Sequence, residues 1–355
     1  MPMMARERQT VPCRDMALSS SLSYPLFGAA ASVYSAVQRL RDSAYRLGML
    51  KPVRAPVPVV SIGNIVMGGS GKTPFTMYLA QLLRERGYKP AIISRGYRGT
   101  YQEGYLVVAG DDSTAPTASP DQCGDEPFLM ASRLPGIPVI VARKRILGVQ
   151  ASKMLFHCNV ALLDDGFQHL HLHRALDIVL ISGGEDHMFP LGNLREPISA
   201  LRRAGVAVST SGDSGVPPKV RPFLHHVPLF RCTQRIVGLA AGPSCPAVPP
   251  TLFSGKDVVL VSAIASPERF RSAADSLGWH VIRHFTFRDH HRLSDSELDQ
   301  VRRAAKDLPI VVTEKDWVKL PPWFTERDQV RALRIGIQLE DERGFEDVLL
   351  AGIAP

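Results

Sequence analysis

The sequence has few cysteines, the residues on which many zinc-binding and disulfide-linked proteins depend. Its five cysteines lie far apart and form no C-x-x-C pair. This spacing argues against a zinc site or a disulfide framework and fits a reducing cytosol. No run of 18 apolar residues occurs, so a transmembrane helix is not expected. Residues 1–15 are charged and lack the apolar core of a secretory signal, and residues 1–24 are interpreted as a flexible leader.

The chain carries an excess of positive charge. It contains 42 lysine and arginine residues against 34 aspartate and glutamate residues, a formal net charge of +8. This balance suits an anionic partner, such as a nucleotide, a nucleic acid, an acidic membrane or a phosphorylated substrate; a merely basic soluble enzyme fits equally well. At 355 residues the chain is long enough for two domains.

A glycine-rich stretch lies between a predicted strand and a predicted helix. The apolar run from Val57 favours a buried strand, and residues 74–86 have apolar positions at helical spacing. This is the context of a phosphate-binding P-loop, although a glycine-rich turn that happens to precede a lysine is the alternative. Lys72 would reach the β- and γ-phosphates of a nucleotide, and Thr73 would bind Mg²⁺. The predicted nucleotide-binding residues are Val66, which stands where the usual pattern has glycine, Met67, Gly68, Gly69, Ser70, Gly71, Lys72 and Thr73.

A later strand ends in two carboxylates. Residues 160–165 are apolar up to Asp164 and Asp165, as in a Walker B element, where an acidic group holds the metal of a bound nucleotide. We therefore predict both as Mg²⁺ ligands, an acidic turn being the alternative. The three histidines in residues 166–173 alternate with apolar residues, and we expect them on one face of an extended segment rather than in a metal site.

Polar residues near strand ends are candidate substrate contacts. Arg95 follows a predicted strand at the edge where open α/β sheets bind ligands, and Arg145 follows a short apolar strand. Arg195 lies in a loop, where it either meets a phosphate or pairs with Glu196. The candidate substrate contacts are Asn64, Arg95, Arg145 and Arg195.

The region before the P-loop predicts a helix over residues 25–50 with an apolar stripe and arginines near its end. Such a helix either lies in a membrane interface or packs on the domain in the ordinary way. Prolines punctuate residues 211–250, which indicates a linker. The predicted organisation is a flexible leader (1–24), a membrane-associating helix (25–55), a P-loop kinase domain (56–210), a linker (211–250) and a smaller C-terminal α/β domain (251–355).

The motifs taken together resemble the tetraacyldisaccharide 4′-kinases of lipid A biosynthesis, from about residue 26 to the C-terminal region. The motifs that carry the resemblance are Gly68-Gly69-Ser70-Gly71-Lys72-Thr73-Pro74, Ser94-Arg95-Gly96-Tyr97, Gly124-Asp125-Glu126-Pro127, Asp164-Asp165-Gly166-Phe167-Gln168-His169, Leu194-Arg195-Glu196-Pro197, Asp289-His290 and Thr313-Glu314-Lys315-Asp316. The expected fold is α/β: a P-loop NTPase-like parallel sheet with helices on both faces, a smaller C-terminal α/β domain and an N-terminal amphipathic helix.

The resemblance implies ATP and Mg²⁺ as cofactors and the lipid A disaccharide 1-phosphate precursor as the acceptor, phosphorylated on its 4′-hydroxyl. It also implies that the N-terminal helix attaches the enzyme to the anionic cytoplasmic face of the bacterial inner membrane. By the same resemblance Asp125 acts on the sugar hydroxyl and His290 supports it, so the catalytic residues are Asp125, His290 and Lys72. Because His290 lies beyond the predicted linker, domain closure is expected to complete the site.

Other classes of protein match less of the sequence. A GTPase-type switch would read guanine through Asn/Thr-Lys-x-Asp, whereas residues 313–316 have a different order. A soluble P-loop kinase for another small molecule or cofactor is the main alternative, and an ATP-gated membrane-binding protein without activity is another. No nucleic-acid partner is expected, and the oligomeric state stays open.

Overall fold

The computed structural model describes residues 23–183, 187–211, 215–326 and 329–354, so most of the predicted leader lies outside the described residues. The helices are α1 (Ser23–Arg46), α2 (Lys72–Glu85), α3 (Pro120–Cys123), α4 (Asp125–Arg133), α5 (Arg145–Phe156), α6 (Pro267–Ser276), α7 (Asp295–Ala305), α8 (Glu314–Trp317), α9 (Pro322–Thr325) and α10 (Glu342–Ile353). The strands are β1 (Val59–Gly63), β2 (Pro90–Ser94), β3 (Leu106–Ala109), β4 (Val139–Val141), β5 (Val160–Asp164), β6 (Leu176–Ile181), β7 (Val206–Ser209), β8 (Leu229–Ala240), β9 (Ala247–Val248), β10 (Asp257–Ser262), β11 (His280–Thr286), β12 (Ile310–Thr313) and β13 (Val330–Leu339).

The strands of the described residues form one continuous sheet in the order β11-β10-β12-β13-β8-β7-β6-β1-β5-β2-β4-β3, with β9 added to β8. Most neighbours are parallel; the antiparallel pairs are β3 with β4, β13 with β8 and β8 with β9. The central strands read as continuous apolar runs because helices cover both of their faces. Helix α2 packs through Phe75 and Leu79 on one face, and α5 packs through Val149 on the other. The predicted α/β class with a mostly parallel sheet is confirmed.

Residues 211–250, predicted as a linker, contain the long strand β8. Its first residues pair in parallel with β7, and the rest of the strand pairs antiparallel with β13. Prolines flank this strand on both sides. The composition of residues 211–250 as a whole therefore indicated a linker, although the segment contains a strand of twelve residues. The P-loop half and the C-terminal half are therefore joined by a strand that pairs with both parts of the continuous sheet.

Helix α1 turns its apolar stripe away from the rest of the protein. Ala31 and Ser35 are buried, whereas Val33, Val37 and Leu40 are 65%, 56% and 73% exposed. The helix ends at Arg46 rather than at residue 50. The opposite side of the helix packs on the domain, where Ala31 is buried and Asp42 pairs with Arg203, so packing on the domain and an exposed apolar stripe are both present. No helix among the described residues is long and apolar enough to cross a membrane.

Candidate active site

The P-loop connects β1 to the first turn of α2. Gly68 and Gly71 have φ angles of 104° and 83°, in the left-handed region that glycine tolerates. Lys72 begins α2, and its Nζ lies 3.4 Å from Asn64 Oδ1 and 3.5 Å from Asp165 Oδ1. Free backbone N–H groups at the start of a helix, together with a lysine, form a binding site for phosphate. The predicted loop thus has the conformation that its role requires.

Asn64, a predicted substrate contact, lies beneath the loop instead. Its side chain is fully buried and donates a hydrogen bond of 2.7 Å to Ser70 Oγ. Its backbone oxygen accepts a hydrogen bond of 2.6 Å from Gln168 Nε2. The residue ties the P-loop to the segment after β5 and presents no surface to an acceptor.

Asp164 and Asp165 stand at the carboxyl end of β5, next to β1 in the sheet. Asp164 is buried and accepts a hydrogen bond of 3.2 Å from Thr76 Oγ1. Burial, with the nearby charges of Glu126 and Asp165, raises the pKa of Asp164. Burial alone would also raise the pKa of Asp165, but the charges of Lys72 and Arg195 outweigh it and the pKa is lowered.

These carboxylates fit a divalent cation. Asp165 Oδ1 is buried without a hydrogen-bond partner, and the carboxylates of Asp164 and Glu126 add negative charge beside it. Within the described ranges, no three Asp, Glu, His or Cys side chains form a group that could hold a metal by themselves. Mg²⁺ in nucleotide sites is usually bound by one or two carboxylates and the phosphates. The residues present therefore suit Mg²⁺ that arrives with a nucleotide.

The three candidate arginines have different surroundings. Arg195 NH1 donates a hydrogen bond of 2.8 Å to Asp165 Oδ2, and Glu196, named above as its alternative partner, pairs with Arg203 instead. Arg145 is 3% exposed and donates to the backbone oxygens of Ala142 and Asp164, which contradicts a direct substrate contact. Arg145 is the first residue of α5, and this helix packs against the sheet and buries the arginine. Arg95 is exposed at the end of β2, where a ligand can reach it.

The histidines of residues 166–173 do not form one face of an extended segment, because this stretch is a series of turns. Burial lowers the pKa of His169 to about 4, so this histidine is neutral. Arg203 holds the turns in place: its guanidinium lies over the ring of Phe167 at 4.6 Å and pairs with Asp42 of α1 at 2.8 Å. The same arginine pairs with Glu196 at 2.7 Å.

Asp125 and His290 lie side by side although 165 residues separate them in the chain. Asp125 is the first residue of α4, and His290 lies in the loop between β11 and α7. Asp125 Oδ2 is 3.3 Å from His290 Nδ1. Gly124, before Asp125, has φ 92°, and a Cβ there would lie 2.6 Å from the Tyr97 backbone oxygen. The turn that brings Asp125 to His290 therefore requires glycine.

The pKa of Asp125 reflects opposing effects. Burial by itself would raise it, but the hydrogen bond with His290 and the charges of Lys319 and Arg292 lower it below its usual range. Asp125 is therefore an ionised carboxylate at neutral pH. Its second oxygen, Oδ1, has the Arg292 guanidinium 4.0 Å away, beyond hydrogen-bond distance.

A cavity of about 280 Å³ runs from the P-loop into the C-terminal half. Gly71, Lys72 and Thr73 form one end, and apolar side chains of α6 and β13 form the other. The sequence did not predict this second end of the cavity, because apolar residues at helix and strand spacing are typical of any protein core. The lining residues that were not predicted include Gln234, Ile264, Phe270, Ala273, Leu333 and Ile335.

Charged contacts already join the two halves around this cavity. Glu314 of α8 accepts hydrogen bonds from Arg133 of α4 at 2.6 Å and from Arg334 of β13 at 2.8 Å. Arg98 donates to the backbone oxygen of His290 at 3.2 Å. The two halves therefore lie in a closed arrangement, in which His290 already contacts the P-loop half.

Comparisons with known proteins agree on one family. The family model described as Tetraacyldisaccharide-1-P 4′-kinase matches residues 24–354. A Tetraacyldisaccharide 4′-kinase of Desulfatibacillum aliphaticivorans is 35% identical over 332 residues, which cover 89% of each chain. That of Pelobacter propionicus is 35% identical and covers 96% of this chain and 94% of its own. The crystal structure of LpxK from Aquifex aeolicus in complex with ATP superposes with a TM-score of 0.81 at 31% identity, over 94% of this chain and 100% of that one.

Proposed function

The chain belongs to the tetraacyldisaccharide-1-P 4′-kinase family, and on that premise we propose how its own residues carry out the reaction. The resemblance predicted from the motifs is thereby confirmed. The enzyme is an ATP-dependent tetraacyldisaccharide 4′-kinase. It transfers the γ-phosphoryl group to the 4′-hydroxyl of a tetraacylated glucosamine disaccharide 1-phosphate in lipid A biosynthesis.

The P-loop binds and neutralises the phosphates. Phosphoryl transfer spreads negative charge over the oxygens of the moving group, so catalysis depends on fixed positive charge and on alignment. Lys72, at the start of α2, and the backbone N–H groups of residues 68–71 supply that charge. The apolar end of the cavity, at α6 and β13, takes the nucleoside.

Asp164, Asp165 and Thr73 would hold Mg²⁺. The bound ion supplies positive charge to the phosphate oxygens. The Oδ1 of Asp165, which is buried without a hydrogen-bond partner, and the pKa of Asp164, which burial and the charges of Glu126 and Asp165 raise, support this assignment. Arg195 keeps the Asp165 carboxylate oriented through its hydrogen bond.

Asp125 is the general base. The observation that carries this proposal is the contact of 3.3 Å between the buried Asp125 carboxylate and His290, beside the cavity that the P-loop lines. As the 4′-oxygen bonds to the γ-phosphorus, the bond from that phosphorus to the β–γ bridging oxygen breaks and ADP leaves. The proton of the 4′-hydroxyl passes to Asp125, and His290 holds the carboxylate in place. Arg95, exposed at the end of β2, is positioned for the phosphate of the acceptor.

The enzyme binds the cytoplasmic face of the inner membrane through α1. Val33, Val37 and Leu40 form an exposed apolar stripe, and Phe189 and Met67 extend exposed apolar surface towards the P-loop. Arg39 and Arg46 on the same helix are exposed and would meet anionic head groups. A lipid acceptor would then reach the active site without leaving the bilayer surface.

One assay tests the reaction. Purified protein, ATP carrying a labelled γ-phosphate and the disaccharide 1-phosphate lipid should give labelled lipid, and an acceptor whose 4′-hydroxyl is already phosphorylated should stay unlabelled. Asp125→Asn should label the lipid on the order of 100-fold more slowly or worse. Label appearing in a water-soluble acceptor and never in the lipid would instead identify a soluble small-molecule kinase.

A sedimentation experiment tests the membrane surface. The double variant Val37→Ser, Leu40→Ser should remain in the supernatant with anionic vesicles that pellet the wild type. The matched control is Met154→Ser, Leu155→Ser, which removes two exposed apolar side chains of α5. Equal pelleting of both variants would reject α1 as the membrane-binding surface.

A further inference from the structure

Lys315 lies on the side of His290 opposite Asp125. Its Nζ is 3.1 Å from His290 Nε2, while His290 Nδ1 faces Asp125. The same ammonium group is 3.4 Å from Glu126 Oε1 and 3.7 Å from Asp289 Oδ1. Lys315 follows β12 in the first turn of α8, so the fold fixes its position.

The geometry points to Lys315 as the residue that sets the tautomer of His290. The lysine ammonium has three donors and no acceptor. It can contact Nε2 only by donating, so Nε2 carries the lone pair. The ring proton is then on Nδ1, where it donates to Asp125 Oδ2. The other close carboxylate, Asp289 Oδ2, is 3.9 Å from Nε2 and too far to accept a proton from it.

This arrangement gives Asp125 and His290 different roles. With its Nε2 lone pair occupied by Lys315, His290 cannot take the proton of the sugar hydroxyl. Asp125 keeps one oxygen on the Nδ1–H donor and leaves Oδ1 to accept that proton. Lys315 is thus a positioning residue that acts through His290, and this inference rests on the proposed function.

The other groups around His290 do not compete for its ring nitrogens. The ring of Tyr97 packs edge-on against the imidazole at 5.8 Å, and Arg98 contacts only the backbone oxygen of His290. Arg292 approaches Asp125 Oδ1 rather than the histidine. Lys315 is the described side chain that reaches Nε2 within hydrogen-bond distance.

Nitrogen NMR of ¹⁵N-histidine-labelled full-length protein tests the assignment, with His290→Gln identifying the resonances. The wild type should show protonated Nδ1 and unprotonated Nε2. Lys315→Met, which keeps length but removes the donor, should lose this single tautomer and lower kcat roughly 10- to 100-fold, by analogy with the loss when a partner that orients a metal-ligating histidine is removed. Its KM for the lipid should change less. Lys315→Arg keeps a donor and should retain the tautomer and much of kcat, and Lys153→Met, an exposed lysine on α5, is the control.

Three results would overturn the inference. One is a wild-type His290 protonated on Nε2, which the spectrum shows even if Lys315→Met fails to fold. Another is a Lys315→Met enzyme with unchanged tautomer and kcat. The third is a Lys315→Met enzyme that loses ATP affinity while the tautomer persists, which would make Lys315 a phosphate ligand. A wild type with the Nδ1–H tautomer that phosphorylates no lipid would support the tautomer assignment and reject the proposed function.

Discussion

Replacing Asp125 by asparagine separates its role as a base from its role in the fold. Because His290 donates from Nδ1, the new amide must turn its oxygen towards His290 and its NH₂ group towards the acceptor. A donor then faces the sugar hydroxyl where an acceptor stood. General base catalysis contributes on the order of 10²–10⁴ in rate, so kcat should fall by that factor, or about 3–5 kcal/mol in the barrier.

Nucleotide binding should change little in this variant, since Asp125 is not among the residues that line the cavity, although Glu126 is. The assay is steady-state transfer to the lipid, combined with calorimetric titration of ATP in the presence of Mg²⁺. Asp121→Asn is the matched control, because Asp121 is a more exposed carboxylate that also pairs with Arg292. Exposed pairs contribute about 0–1 kcal/mol, so this control should stay close to wild type.

The pH dependence gives a second check on Asp125. Its pKa is lowered, so the carboxylate stays ionised at neutral pH, and the activity that depends on it is lost only as the pH falls through that lowered pKa. The wild type should therefore show no loss from this group above about pH 5. An Asp125→Asn enzyme with near-normal kcat, or one that loses Mg²⁺–ATP binding instead, would refute the assignment. Combined with His290→Ala, the loss should be hardly larger than for Asp125→Asn alone, because the two act as one unit.

Three further changes have defined outcomes. Lys72→Ala should lower kcat by about 10²–10³ without unfolding the protein, as judged by circular dichroism, and near-normal turnover would reject the P-loop assignment. Removal of residues 1–50 should release the protein from anionic vesicles and raise the KM for lipid; because α1 also contacts the turns after β5, kcat should fall too, and unchanged pelleting would contradict the role of the helix. Arg133→Met should lower the free energy of unfolding in urea by about 3 kcal/mol, since it leaves the buried Glu314 carboxylate with one partner fewer, and a loss below about 1 kcal/mol would mean that this pair contributes little.

The features that the sequence predicted best are those that depend on the local pattern of residues. The strand, glycine loop and helix around Lys72 follow from residue spacing alone, and so does the position of Asp164 and Asp165 at a strand end. The pairing of Asp125 with His290 came from the family resemblance, because no pattern relates two loops 165 residues apart. Asp125 is also the first residue of α4, where acidic residues commonly stabilise the helix dipole, so its position in the chain does not by itself indicate catalysis.

The errors have physical causes as well. Arg145 follows a strand as a site residue would, but the helix it begins covers it. Asn64 is polar and near the P-loop, yet its hydrogen bonds point into the loop rather than towards a ligand. Lys315 belongs to a motif of the family resemblance that does not match a guanine reader, and the sequence predicted no role for it. Its contact with His290 depends on how α8 lies against the loop between β11 and α7, which spacing along the chain does not encode.

The strand shared by the two halves limits how this protein can be divided. β8 pairs with β7 through residues 229–231 and with β13 through residues 232–240. A chain cut before β8 would leave β7 as an open edge in the N-terminal fragment, and one cut after β8 would leave β13 open in the C-terminal fragment. Open strand edges pair with whatever strand they meet. Separately expressed halves should therefore aggregate alone and reassemble when mixed. For the same reason, the two fragments of a split-protein reporter divided at this junction would bind each other without any added partner.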